Sequence, residues 1–143
     1  MTIVHPTDFS ETADQAERQA ARLARSLGGE LILLHVSVET PLYGETAFGM
    51  PDVKRIYESQ ARWAEERLTA RVAALTEDGV PTRWRRRVGI VHEAICEVAR
   101  EEAADYIVIG THGRGGIARF MLGSVADRVI RTAPCPVLTV RPQ

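Results

Sequence analysis

The chain has 143 residues, 45% of them hydrophobic and 26% charged, with a formal net charge of -1. That composition describes a single globular domain able to bury roughly two thirds of its unfolded surface without disulfides or metals, and it lacks the broad basic excess of a nucleic-acid binder. No apolar run approaches a membrane span, and the opening "MTIVHPTDFS" has no cationic stretch leading into an apolar one, so a cytoplasmic protein without nucleic-acid or membrane partners is expected.

The first element is a short β-branched run, "TIVH" (2–5), read as a strand. Helical spacing follows at Ala13, Ala16, Ala20, Leu23 and Leu27, with Ser10 as its N-cap, Glu11 near its positive end and "LGGE" (27–30) supplying the glycine that stops it. "ELILLHVSV" (30–38) is the second strand, and "ETPLYGETAFGMPD" (39–52) reads as a loop beside the strand ends. Tyr57, Ala61, Ala64, Leu68, Val72 and Leu75 mark a second helix, ended by Gly79 and Pro81. In the third strand, "TRWRRRV" (82–88), the charges of Arg83, Arg85, Arg86 and Arg87 suit a sheet edge that must not pair with another sheet. A third helix carries Ala94, Ile95, Val98 and Ala99, "DYIVIG" (105–110) is the fourth strand, and Val125, Ala126, Val129 and Ile130 mark a fourth helix. The last strand, "PVLTV" (136–140), is uncharged until Arg141, so at a sheet edge it is a template for pairing. This alternation predicts one open parallel α/β sheet of five strands with helices on both faces. Cys96 and Cys135 have no metal-ligand spacing and read as reduced and structural.

Between the fourth strand and the fourth helix lies "GTHGRGGIARFMLGSV" (110–125), with five glycines in sixteen residues. Strand-to-helix turns usually take about 2 to 6 residues, whereas thirteen separate Gly110 from Ser124. In open α/β sheets ligands bind beyond the carboxyl ends of strands, and this loop leaves such an end. Glycine lets backbone amides approach an anion, and a helix start adds unsatisfied N–H groups, so a phosphate is the expected ligand. Arg114 and Arg119 add cationic groups. The loop lacks the order and the lysine of a P-loop, and no GxGxxG follows the first strand, which argues against an ordinary Rossmann site.

Gly110, Gly113, Gly123 and Ser124 fit the pattern GxxG, nine residues, G[ST], and in this the chain strongly resembles the ATP-binding type of the universal stress protein family. "IVHPTDFSETA", "LILLHV" and "APCPVLTVRP" extend the resemblance over nearly the whole length. The resemblance implies a five-stranded parallel sheet in order 3-2-1-4-5, a nucleotide at the carboxyl ends of the first and fourth strands, and a regulatory role in the stress response. Residue by residue, it implies that Pro6, Thr7 and Asp8 meet the adenosine and that the Val36 backbone meets the adenine edge. Ile109 and Gly110 would flank the ribose, and Gly113, Arg114, Gly123, Ser124 and Val125 would cradle the triphosphate. The expected cofactor is therefore ATP, with a magnesium ion bridging its phosphates as a companion and Ser124 as that ion's hydroxyl. The partner besides the nucleotide is a second copy, paired through 136–141.

Four histidines, His5, His35, His92 and His112, show no short ligand pair, and metal-only function is set aside. His112 sits where it could orient a water at a terminal phosphate, although a turn-stabilising role is the plainer reading. "HPTDFSETA" has neither an HIGH-like nor an SGG-like element, and Lys54 is the sole lysine, so no adenylating or efficient ATPase activity is expected and no catalytic residue is assigned. A slow ATP-hydrolysing enzyme and a nucleotide-independent dimeric module stand as the alternatives.

Overall fold

The computed structural model describes residues 1–38, 51–112 and 122–142, with only the backbone for residues 51 and 52. Five strands, β1 (Thr2–Pro6), β2 (Glu30–Ser37), β3 (Thr82–Val88), β4 (Tyr106–Gly110) and β5 (Val137–Val140), form one parallel sheet in the order β3-β2-β1-β4-β5. Four described helices connect them: α1 (Glu11–Leu27), α2 (Pro51–Glu77), α3 (Val91–Glu101) and α4 (Ser124–Thr132).

The period-two alternation of the central strands sorts their side chains onto two faces. Ile3, Leu31, Leu33 and Val108 pack against Ala20 and Ala24 of α1 and Ala64 and Leu68 of α2. Val4, Ile32, Leu34, Ile107 and Ile109 pack against Ile95 and Val98 of α3 and Ala126 and Val129 of α4. Burial on both faces explains why these strands read as almost uninterrupted apolar runs. The small alanines of α1 bring that helix close to the sheet, and five of them are buried.

Local signals set the ends of the elements. Ser10 Oγ accepts from the Ala13 amide at 3.2 Å, and Gly28 closes α1 at φ 62°. The 39–52 loop expectation is corrected at its end, because α2 starts at Pro51, a residue whose fixed φ and missing donor suit the first helical turn. Residues 39–50 lie outside the described residues. The arginines of β3 sit on an edge strand, as expected, and are also ion-paired within the chain. Arg83 bridges Glu30 and Glu102, Arg85 joins Glu102, Arg86 reaches Glu65 on α2, and Arg87 reaches Glu101 on α3. Hydrogen bonds from Arg83 and then Arg85 hold the Glu102 carboxyl down to about 2. Both cysteines are free thiols.

Candidate functional site

The connection runs from β1 to β2 and β3 on one side and to β4 and β5 on the other, so the crevice beyond the carboxyl ends of β1 and β4 is the switch point where α/β sheets take ligands. Two segments meet there. The first is the turn Pro6–Ser10. Thr7 is buried, its amide donates to the Leu34 carbonyl at 2.8 Å, and its own carbonyl accepts from His35 Nδ1 at 2.9 Å. Thr7 Oγ1 accepts from the Phe9 amide at 3.1 Å, and Asp8 Oδ1 accepts from the Ser10 amide at 3.0 Å. Asp8 itself is half-buried. Phe9 is left-handed at φ 62°, a conformation that costs a bulky residue roughly 1–3 kcal/mol. Its ring is stacked on His35 at 4.9 Å between centroids and meets Trp63 of α2 edge-on at 5.2 Å, and the Arg67 guanidinium lies over it.

The second segment follows β4. Ile109 and Gly110 end the strand, the buried Thr111 donates its amide to the Val140 carbonyl at 2.9 Å, and Thr111 Oγ1 shares a hydrogen bond with His112 Nδ1 at 2.9 Å. The chain returns at Gly123, whose amide donates to the Thr111 carbonyl at 2.6 Å, and α4 begins at Ser124. A side chain at Gly123 would place its Cβ 2.8 Å from that carbonyl oxygen, and one at Gly110 would meet Thr12 Cγ2 at 2.9 Å. The space beside both glycines thus belongs to the chain's own packing. Gly123, as N-cap, offers the first turn of α4 no side-chain acceptor, in contrast to Ser10 on α1.

Beside α4 opens a cleft of about 450 Å³. Val38, Ile90, Val91 and His92 form one wall, and Ser124, Val125 and Arg128 the other. Among the described residues no carboxylate lines it, so an anion with an apolar part is the ligand its chemistry suits, and a magnesium ion there would depend on Ser124 and on oxygens brought by the ligand. Ser124 and Val125 are the predicted residues that reach it, and Val36 packs with Val91 and Val125 against the same apolar cluster. Pro6, Thr7, Asp8, Ile109, Gly110 and His112 stand along the strand ends and are not among its lining. Gly113 and Arg114 lie outside the described residues.

Sequence reasoning missed His92 and Arg128. The signal was the crossover rule: α3 and α4 both return to the face opposite α1 and α2, which brings their N-terminal ends to one edge of the sheet.

His5 and His35, which end neighbouring strands, each already have a backbone partner. His5 is fully buried and its Nδ1–H donates to the Val108 carbonyl at 2.8 Å, while its Nε2 has no hydrogen-bond partner among the described residues. Burial lowers its pKa to about 4, with Arg71 pushing the same way and the Val108 carbonyl, Asp14 and Asp8 opposing. Arg71 in turn ion-pairs with Asp14 at 2.6 Å and Glu17 at 2.8 Å. Among the described residues, no three histidine, cysteine, aspartate or glutamate side chains gather as metal ligands. No described helix is long and apolar enough to cross a membrane.

Comparison with known proteins agrees with this geometry. The profile of the universal stress protein family matches residues 1–141. Universal stress protein MJ0531 of Methanocaldococcus jannaschii is 35% identical over 139 residues, 97% of this chain and 81% of that protein. The solved structure of the hypothetical protein MJ0577 superposes with a TM-score of 0.86 at 31% identity, covering 99% of this chain and 96% of the other. The universal stress protein from Archaeoglobus fulgidus, solved in complex with dAMP, gives a TM-score of 0.69 at 29% identity, covering 99% and 98%.

Proposed function

The chain belongs to the universal stress protein family, and from that premise we propose that it is an ATP-binding regulatory protein of the stress response, holding the nucleotide at the carboxyl ends of β1 and β4. The observation that carries this reading is the start of α4. Its first turn sits behind a glycine cap that supplies no side-chain acceptor, and it opens on a cleft with no acidic lining among the described residues. A relative described with dAMP bound supports the adenine base.

In this reading Pro6, Thr7 and Asp8 receive the adenosine, the Val36 backbone meets the adenine edge, and Ile109 and Gly110 flank the ribose. The amides of Ser124 and Val125 receive phosphate oxygens together with Gly113 and Arg114. Gly123 contributes by capping α4 without a side chain, and His112 is held by Thr111 at the edge of the phosphate region. A magnesium ion would take the Ser124 hydroxyl and phosphate oxygens.

Calorimetry with ATP, beside mass spectrometry of nucleotide released from freshly purified protein, tests the proposal. Asp8→Ala is expected to weaken binding by roughly 1–3 kcal/mol, the usual effect of removing a hydrogen-bonding partner, with little change in melting without ligand. A large loss of ligand-free melting temperature with unchanged affinity would make Asp8 a turn residue only.

A further inference from the structure

Phe9 stands between the proposed nucleotide site and α2. Its backbone is left-handed at φ 62°, a region that L side chains of this size rarely enter. What the left-handed angle does is aim the amide that follows it, beside the Phe9 amide already held by Thr7. The Phe9 amide reaches Thr7 Oγ1 at 3.1 Å, and the Ser10 amide reaches Asp8 Oδ1 at 3.0 Å. Rotation of Phe9 to negative φ would redirect the Ser10 amide, which follows it, and release the Asp8 carboxylate.

The ring keeps the backbone there. It is stacked on His35, whose Nδ1 donates to the Thr7 carbonyl, and it is covered edge-on by Trp63 and from above by Arg67, both on α2. Arg67 also lies over the Trp63 ring, at 4.9 Å. Aromatic pairs and cation–π contacts of this kind offset backbone strain that would otherwise relax.

We infer that Phe9 is a positioning residue: clamped by His35 and Trp63, it holds Thr7 and Asp8 in the arrangement that receives the nucleoside. The inference rests on the nucleotide-binding reading above and adds that the site's affinity depends on α2, an element that contributes no ligand contact in that reading.

The test is ATP affinity, measured by calorimetry well below the melting temperature, for Phe9→Tyr, Phe9→Gly and Phe9→Ala. Tyrosine keeps the ring and is expected to bind within about twofold of the wild type. Glycine tolerates φ 62° but loses the clamp, and a drop of about tenfold is expected. Alanine loses the clamp and keeps the penalty of its Cβ, so it should bind more weakly than glycine. That order, glycine above alanine, is not the one a space-filling role produces, because alanine leaves the smaller cavity. A folded Phe9→Ala protein that binds like the wild type, or glycine binding more weakly than alanine, overturns the inference while leaving nucleotide binding intact. Failure of the wild type to bind any adenine nucleotide overturns both. If the Phe9 variants do not fold, Trp63→Ala decides, since Trp63 is 41% exposed and lies outside the proposed ligand contacts. A loss of about threefold is expected there, and unchanged affinity refutes the clamp.

Discussion

His5 shows how much one buried side chain can impose on stability. In the unfolded chain its imidazole titrates near 6.5, whereas in the folded chain burial lowers that to about 4. Between those values the unfolded state binds the extra proton, so stability is fully present above about pH 6.5 and falls as the pH drops toward 4. The shift corresponds to a loss of up to about 3 kcal/mol. Arg71, Asp14 and Asp8 face the ring, and Glu17 close by has its own pKa raised by burial, which acts in the opposite sense as pH falls. The His5 share is therefore read as a difference: urea unfolding of wild type and His5→Gln from pH 7 to pH 4.5 should show a steeper decline for the wild type. Parallel pH profiles would mean that the ring is accessible to protons in the folded state. Asp8 in "PTDFS" came from the family resemblance alone, since no local period or spacing singles out one carboxylate past a strand end. Phe9 was not legible in the sequence, since its ring partners come from β2 and α2, far away in the chain.

Among the elements, α4 carries the motif, and its cap revises what Gly123 is for. The loop's length and glycines suggested bare backbone kept clear for phosphate oxygens. In the structure the Cβ of any other residue at this position meets the Thr111 carbonyl at 2.8 Å, across the 2.6 Å hydrogen bond that ties α4 to the end of β4. Gly123→Ala is accordingly expected to lower ligand-free stability by roughly 1–3 kcal/mol, the usual range for overpacking a close contact, and to weaken ATP through displacement of the Ser124 and Val125 amides. Thermal melts without nucleotide separate the two roles. An unchanged melting temperature with lost ATP binding would restore the phosphate-clearance role. The boundaries of the loop, Gly110 and Ser124, coincide with the end of β4 and the start of α4, since both were marked by a change of hydrophobic period.

At the scale of the molecule the two sheet edges differ in kind. β3 presents four arginines, each paired to a glutamate of β2, of α2, or of α3 and its C-cap Glu102, and an edge so charged resists pairing with another sheet. β5 presents Val137–Val140 with no charge, and Leu138 is 44% exposed. Antiparallel pairing of two β5 strands about a two-fold axis would cover that edge, and we expect a homodimer built through 136–141. Leu138→Lys should give a monomer in sedimentation equilibrium at concentrations where the wild type is dimeric. A dimer that survives this substitution places the interface on another surface.

The order of strands and helices, the cap at Ser10, the stop at Gly28 and the edge character of "TRWRRRV" were all determined by the sequence, because each depends on residues within a few positions of one another. Strand order itself came from a resemblance, not from the periods, which are silent about neighbours. Only the tertiary structure decided which distant residues meet: Phe9 with Trp63, Arg71 with Asp14 and Glu17, Arg83 with Glu102, and the start of α3 with the start of α4. Those meetings depend on the direction of each crossover and on the rotamers that close packing selects, and neither is encoded in a local period.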